Sequence, residues 1–435
     1  MGGVLVECGI VIEDGRIKKI GKESTLPPFD EKVDAKGLVS LPGLIDVHVH
    51  LRDMKLAYKE DFYTGTCAAV AGGFTTVIDM PNTIPATDSA ERLKEKMEIG
   101  RSKAVANFGF HAALTADVDE IEEMSKLGPL SFKLNLHKPI GEFPAEDEVT
   151  IVNSMAKCAS LKIPVSIHAE DRGTIEKLQF ALERDEKRSA RDYLEAHGAE
   201  AELKAVEKVL GWARESRATV HICHLSVAES LRMISSVRGR GSSLTCEVTP
   251  HHLFLTSRQP EHFMRVATTA PPVRDFENAS RLWIALRNGE IDIVASDHAP
   301  HTLEEKQNPD IWKVPPGIPG LETTLPLLLA RVNQGQLRID RLVEALAQKP
   351  ASVFGLPNKG VLAEGADADI VLVDLKAEVK IDERNFHSKA KYSPFNGLIC
   401  RGKPVKTFIL GQLVMEGGEI KAKQGSGSVI KAVRK

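Results

Sequence analysis

Two hydrophobic periodicities divide the chain. Between Leu41 and about residue 357, short apolar runs alternate with amphipathic stretches of helical period. The runs are GLIDVHVH (43–50), FTTVIDM (74–80), ANFGFHAAL (106–114), PLSFKLNL (129–136), IPVSIHAE (163–170), ATVHICHLS (218–226), SLTCEVTPHH (243–252) and IDIVASDHAP (291–300). Runs of that length, rich in β-branched residues, predict buried strands. The stretches 89–100, 147–161, 199–216, 227–237 and 278–288 predict helices between them. Eight strands alternating with helices match an α/β fold of the (β/α)8 TIM-like barrel type. A doubly wound open sheet stays the alternative, because strand order is not written in a single sequence.

Both flanks read differently. Residues 1–40 predict short strands, with a tight hairpin at Asp14-Gly15. The segments 365–375 (GADADIVLVDL) and 405–420 (VKTFILGQLVMEGGEI) are again strand-like with Gly-centred turns. The expected organisation is therefore one small β domain built from residues 1–41 and 358–420, with the barrel, 42–357, inserted between its parts. Residues 421–435, KAKQGSGSVIKAVRK, have the composition of a loosely held tail.

Composition narrows the function. A formal net charge of -3 over 435 residues argues against a nucleic-acid or anionic-membrane binder. No apolar run approaches the roughly 20 residues needed to span a bilayer. The opening residues lack the basic start, apolar core and cleavage site of a secretion signal. The six cysteines are scattered without a CxxC, as expected of free thiols in a reducing cytoplasm. The expected partner is a small-molecule substrate.

The candidate chemistry gathers at strand ends. In LPGLIDVHVHLR, His48 and His50 lie one residue apart and share a strand face, so together they can hold a metal ion. Lys133 sits between Phe132 and Leu134, where a buried ammonium is costly. It is either a snorkelling lysine or a neutral amine that adds carbon dioxide and becomes an anionic carbamate. His168 ends PVSIHAE and, taken alone, reads as a satisfied core histidine. His221 and His224 are three apart, so a regular strand turns only one of them inward. His224, nearer the strand's C-terminal end, is the candidate ligand, and His221 is structural. In SDHAPH, Asp297 can ligate a metal and accept a proton, or cap a helix. His301 can hydrogen-bond an anion. Arg52 suits bidentate binding of a carboxylate or a surface ion pair. Asn82, in MPNTIP, suits the same anion or a turn. Asp79, His111, His137, Glu247, His251 and His252 are possible supporting groups. His48, His50, Lys133, His168, His224 and Asp297 would thus meet at one barrel mouth. Nitrogen and oxygen donors without thiolates suit zinc, manganese, cobalt or iron.

The segments PGLIDVHVHLR, KEDFYTGTCAAVAGGFTTVIDMPNTIP, HICHLS, CEVTPHHLFL, ASDHAPHTLEEK and PPGIPGLET make the chain resemble the dihydroorotases of the cyclic amidohydrolase superfamily, from about Leu41 to Phe354. The resemblance implies two divalent metals, zinc first among them. His48, His50 and Asp297 would hold one and His168 and His224 the other, with Lys133 bridging as its carbamate. It implies carboxylate binding by Arg52, Asn82 and His301, and ring contacts from the backbone around Pro316 and Gly317. A homodimer is the expected assembly, with association to an aspartate transcarbamoylase as a further partner. The implied reaction interconverts N-carbamoyl-L-aspartate and L-dihydroorotate. Two alternatives stay open: an allantoinase, or an inactive scaffold homologue. Two departures stand out. Asp53, Met54 and Lys55 replace the family's Glu-Pro-Gly. Ala270 stands in TTAPPVR, where many relatives carry an asparagine or arginine that touches substrate.

Overall fold

The computed structural model describes residues 5–239 and 243–434; residues 1–4 and 435 of the expected terminal segments lie outside the described residues. The chain begins with a hairpin of β1 (Gly9–Glu13) and β2 (Arg16–Gly21), turning at Asp14-Gly15. Strand β3 (Val39–Pro42) leads into the barrel. Its eight strands are β4 (Leu44–Val49), β5 (Phe74–Asp79), β6 (Asn107–Ala113), β7 (Ser131–Asn135), β8 (Val165–His168), β9 (Val220–Ile222), β10 (Leu244–Val248) and β11 (Ile293–Val294). They pair in parallel and in chain order. A bridge between Val49 and His298, with the His50 N–H donating to the His298 carbonyl at 2.7 Å, brings the two edges together. The expected barrel is the observed one. Every residue of β4, β5 and β6 is buried, as parallel strands covered on both faces require.

Helices cross between the strands with their starts fixed by side chains. Asp61 makes a capping box with Thr64 on the helix Phe62–Ala71, and Ser89, Asp147 and Asp275 cap later ones. Each such cap contributes about 1 kcal/mol by satisfying a free backbone N–H.

The second sheet joins the two flanks. Strand β12 (Ile370–Lys380) lies between β3 and β13 (Ile399–Ile409), followed by β14 (Gln412–Glu416) and β15 (Glu419–Ile420). The β1–β2 hairpin is a separate sheet and touches this region through Ile17 N–H to the Ala366 carbonyl at 2.9 Å.

The C-terminal segment differs from the loose tail its composition suggests. It runs under the N-terminal ends of the barrel strands. Gly427 N–H donates to the Ala104 carbonyl, Phe108 N–H to Ser428, Ile430 N–H to Phe108 and Val433 N–H to Gly355, all at 2.8–2.9 Å. Ile430 packs with Ile45, Val47, Ile78, Leu130 and Phe354 at the barrel floor. The reason is backbone complementarity: a Cβ on Gly427 would stand 2.1 Å from the Ala106 carbonyl oxygen, so only glycine lets the segment approach.

Candidate metal centre

The barrel interior is layered. Above the apolar floor, Phe354 meets the rings of His111 and His221 at 5.6 and 5.3 Å. His111 is a satisfied core residue, held by the Val47 carbonyl at 2.8 Å and by Ser131, and burial pushes its pKa down to about 3. Above this layer Glu247, on β10, spreads its carboxylate over three elements. One oxygen takes His48 Nδ1 and the His224 backbone N–H at 3.1 Å; the other takes His221 Nε2 at 3.0 Å. His221 is structural, as expected, but its ring turns inward as well. The alternation argument fails because β9 stops at Ile222 and His224 sits at φ 32°, off the strand.

The candidate ligands lie on top of Glu247. His48 and His50 approach one Asp297 oxygen through Nε2, at 3.4 and 3.3 Å. Next to them, His168 Nδ1 and His224 Nε2 face each other at 3.1 Å. The ring centroids run His50–His48 at 5.5 Å, His48–His224 at 5.2 Å and His224–His168 at 4.7 Å, a continuous chain. Lys133 points into the same space, its Nζ 2.9 Å from Cys223 Sγ, and its charge acts on His48, His168 and His224. All six residues named from the sequence therefore converge.

The electrostatics favour a bound cation. Burial lowers His50 to about 3 and holds His168 and His224 below the usual histidine range, so these rings carry lone pairs. Burial also opposes charge on His48, but the Glu247 and Asp297 carboxylates outweigh it and raise that ring's affinity for positive charge. Burial alone would raise Asp297; His48 and His50 instead hold it ionised, below the usual carboxylate range. His50 Nδ1 and His251 Nε2 are buried without a hydrogen-bond partner. The neutral rings of His50, His168 and His224, with His48 drawn toward positive charge and an ionised Asp297, form a buried donor set that fits divalent metal ions. His48, His50 and Asp297 place their ligand atoms within 4.8 Å of one another.

Strained backbone marks the site. Arg52 (φ 56°), His224 (φ 32°) and Asp297 (φ 46°) all occupy the left-handed region that non-glycine residues avoid. Asp79 holds the β4 end in place: its carboxylate accepts the Leu51 N–H at 2.7 Å and pairs with buried Lys96 at 2.5 Å. Arg52 then lies against the loop after β11, with Nε 3.3 Å from the Pro300 carbonyl and Nη2 3.2 Å from His301 Nε2. The Pro316 carbonyl is 3.1 Å from His301 Nε2. Gly317 (φ 141°) passes so close that a Cβ would stand 2.4 Å from the Ala299 carbonyl oxygen. Asn82 follows β5 with its Oδ1 buried and unpartnered. Arg52, His301, Pro316 and Gly317 are thus brought together, while the Asn82 Oδ1 makes no hydrogen bond to them among the described residues.

Two groups escaped the sequence reading. Glu170 bonds His168 Nε2 at 2.8 Å and His197 Nδ1 at 2.9 Å, fixing the ring so that Nδ1 faces the cluster. Its signal was available: it is two residues beyond His168 in IHAE. Lys59 lies 3.0 Å from His301 Nδ1. Of the supporting groups named from sequence, His252 bonds Thr249 at 2.7 Å and the Pro271 carbonyl at 3.1 Å, while the His137 ring lies 5.0 Å from that of His197.

Residues 39–414 match the family model described as the amidohydrolase family. The chain is 40% identical over 423 residues to the dihydroorotase of Methanothermobacter thermautotrophicus, covering 97% of this chain and 94% of that one. It is 37% identical to the dihydroorotase of Methanosphaera stadtmanae, covering 94% of each. Among solved structures it is similar to the L-hydantoinase (dihydropyrimidinase) from Arthrobacter aurescens, with a TM-score of 0.95 and 32% identity over 98% of this chain and 96% of that one.

Proposed function

The chain belongs to the amidohydrolase family, whose members use divalent metal ions, and from that premise we propose that it is a dihydroorotase. The observation that carries this reading is the position of Arg52 and His301. They stand on the same two strand-end loops as His50 and Asp297 and put a guanidinium beside the donor cluster. The hydantoinases typically lack an equivalent of Arg52. Allantoin carries no carboxylate for that guanidinium to bind.

In this proposal His48, His50 and Asp297 would hold one divalent ion and His168 and His224 a second, with Lys133 contributing to both as its carbamate. Zinc is the first choice for the donor set. When bound, such ions polarise an amide carbonyl and acidify water. The chain's own residues do the rest. Arg52, Asn82 and His301 bind the substrate carboxylate, and the backbone at Pro316 and Gly317 borders the ring, which orients the scissile amide. Asp297, kept ionised by its histidine neighbours, takes the proton of the attacking water on its carboxylate and delivers it to the departing ring nitrogen. In the synthetic direction the same proton moves the other way, and N-carbamoyl-L-aspartate closes to L-dihydroorotate. Ala270 has no polar side chain to offer, so in this proposal the carboxylate depends on Arg52, Asn82 and His301.

A homodimer, association with an aspartate transcarbamoylase and a cytoplasmic location belong to the same proposal. All six cysteines are free, which fits that location. Among the described residues no helix is long and apolar enough to cross a membrane.

The test is a parallel assay of the purified, zinc-loaded protein on L-dihydroorotate, allantoin and hydantoin. The expected result is ring opening of dihydroorotate above both others. Faster turnover of allantoin or hydantoin, or no turnover of any, overturns the reading.

A further inference from the structure

Lys59 plays no part in the mechanism above, yet it is mostly buried against the proposed carboxylate pocket. Its Nζ lies 2.8 Å from Glu305 Oε1 and 3.0 Å from His301 Nδ1. Glu305 is itself fixed by a capping box with Thr302, so the lysine head is held on a rigid support. On the other side of the imidazole, His301 Nε2 faces the Pro316 carbonyl at 3.1 Å and Arg52 Nη2 at 3.2 Å. Burial, then the nearby Arg52, Lys306 and Lys59 cations, keep His301 neutral with one ring proton.

Only one placement of that proton suits most of these neighbours. An ammonium and a guanidinium can only donate, and a carbonyl can only accept. With the proton on Nε2, His301 donates to Pro316 and accepts from Lys59 at Nδ1. With the proton on Nδ1, the ring loses the Pro316 bond and turns an N–H toward the Lys59 ammonium. In the first arrangement the Arg52 guanidinium and the His301 Nε2–H are two donors 3.2 Å apart, facing the same space. An anionic oxygen in reach of both would satisfy them, taking the Nε2 proton in place of the Pro316 carbonyl.

We propose that Lys59 is a positioning residue that locks His301 in the Nε2–H tautomer, so that His301 and Arg52 present a paired donor site to the substrate carboxylate. This rests on the dihydroorotase reading for the substrate, but the tautomer can be measured without any substrate.

The test uses the zinc-loaded protein labelled with 15N-histidine, the His301 resonances being those missing from the spectrum of H301N. The wild type is expected to show Nε2–H at His301. In K59M the proton is expected to shift toward Nδ1. The KM for dihydroorotate should rise about tenfold, the loss of one charge-assisted hydrogen bond, with a smaller change in kcat. K59R, which also can only donate, should restore both tautomer and KM. Wild-type His301 protonated at Nδ1 overturns the proposal at once. So does K59M with unchanged tautomer and KM, or K59M with kcat and KM altered but the tautomer unmoved, which marks a structural role. If the wild type fails to open dihydroorotate, the dihydroorotase reading falls, while the tautomer still decides the role of Lys59.

Discussion

The two ends of the barrel are built on opposite chemistry. At the C-terminal end of the strands, buried ionisable groups pack ring against ring, with Arg52, His224 and Asp297 in strained backbone. At the N-terminal end, the segment after Ile420 seals the floor with main-chain hydrogen bonds, a glycine and the side chains of Val429 and Ile430. The mouth depends on which atoms carry lone pairs and where protons sit. The floor depends on shape and on main-chain hydrogen bonds. Changes at the mouth should therefore alter chemistry more than stability, and changes at the floor the reverse.

The largest expected effect is at Asp297. Asp297→Asn keeps the shape but cannot take a proton, so kcat for dihydroorotate should fall by about 10²–10⁴-fold, with the melting temperature little changed. A variant with normal turnover would erase the distinction between the two ends at its strongest point. Next is Glu247→Gln. The amide cannot serve His48, His221 and the His224 backbone together, so zinc affinity, measured by competition with a chromophoric chelator, should weaken about 10–100-fold. Unchanged affinity would mean that the layer beneath the ligands does not organise them. At the floor, Ile430→Ala should cost about 1–2 kcal/mol in denaturant unfolding, reduced from a full core deletion by its partial exposure. Its kcat should stay at the wild-type value. Loss of activity before loss of stability would show that the floor and the mouth are coupled.

The same contrast explains what was legible in the sequence. The eight strands announce themselves because each is buried and mostly apolar, and their order in the chain is their order in the sheet. The proposed ligands are legible because histidine and aspartate at strand ends are chemically distinctive. His224 was found although the geometric argument for it was incomplete, since its left-handed backbone breaks the alternation that separated it from His221. Glu170 was missed although it stands two residues beyond His168, because its other partner, His197, comes from a distant helix end. The C-terminal segment was misread for a physical reason. Its hold on the barrel comes from the main chain at Gly427, Ser428, Ile430 and Val433, and main-chain hydrogen bonding leaves no mark in composition.

The central claim is that six side chains from five barrel strands, or from the residues just after them, surround a pair of divalent ions. Anomalous diffraction from crystals of the zinc-loaded protein, recorded on both sides of the zinc absorption edge, tests it most directly. The account predicts two peaks, one bounded by His48, His50 and Asp297 and one by His168 and His224, with added density on the Lys133 amine between them. An empty cluster in zinc-replete crystals, or peaks bound only elsewhere on the molecule, would contradict it.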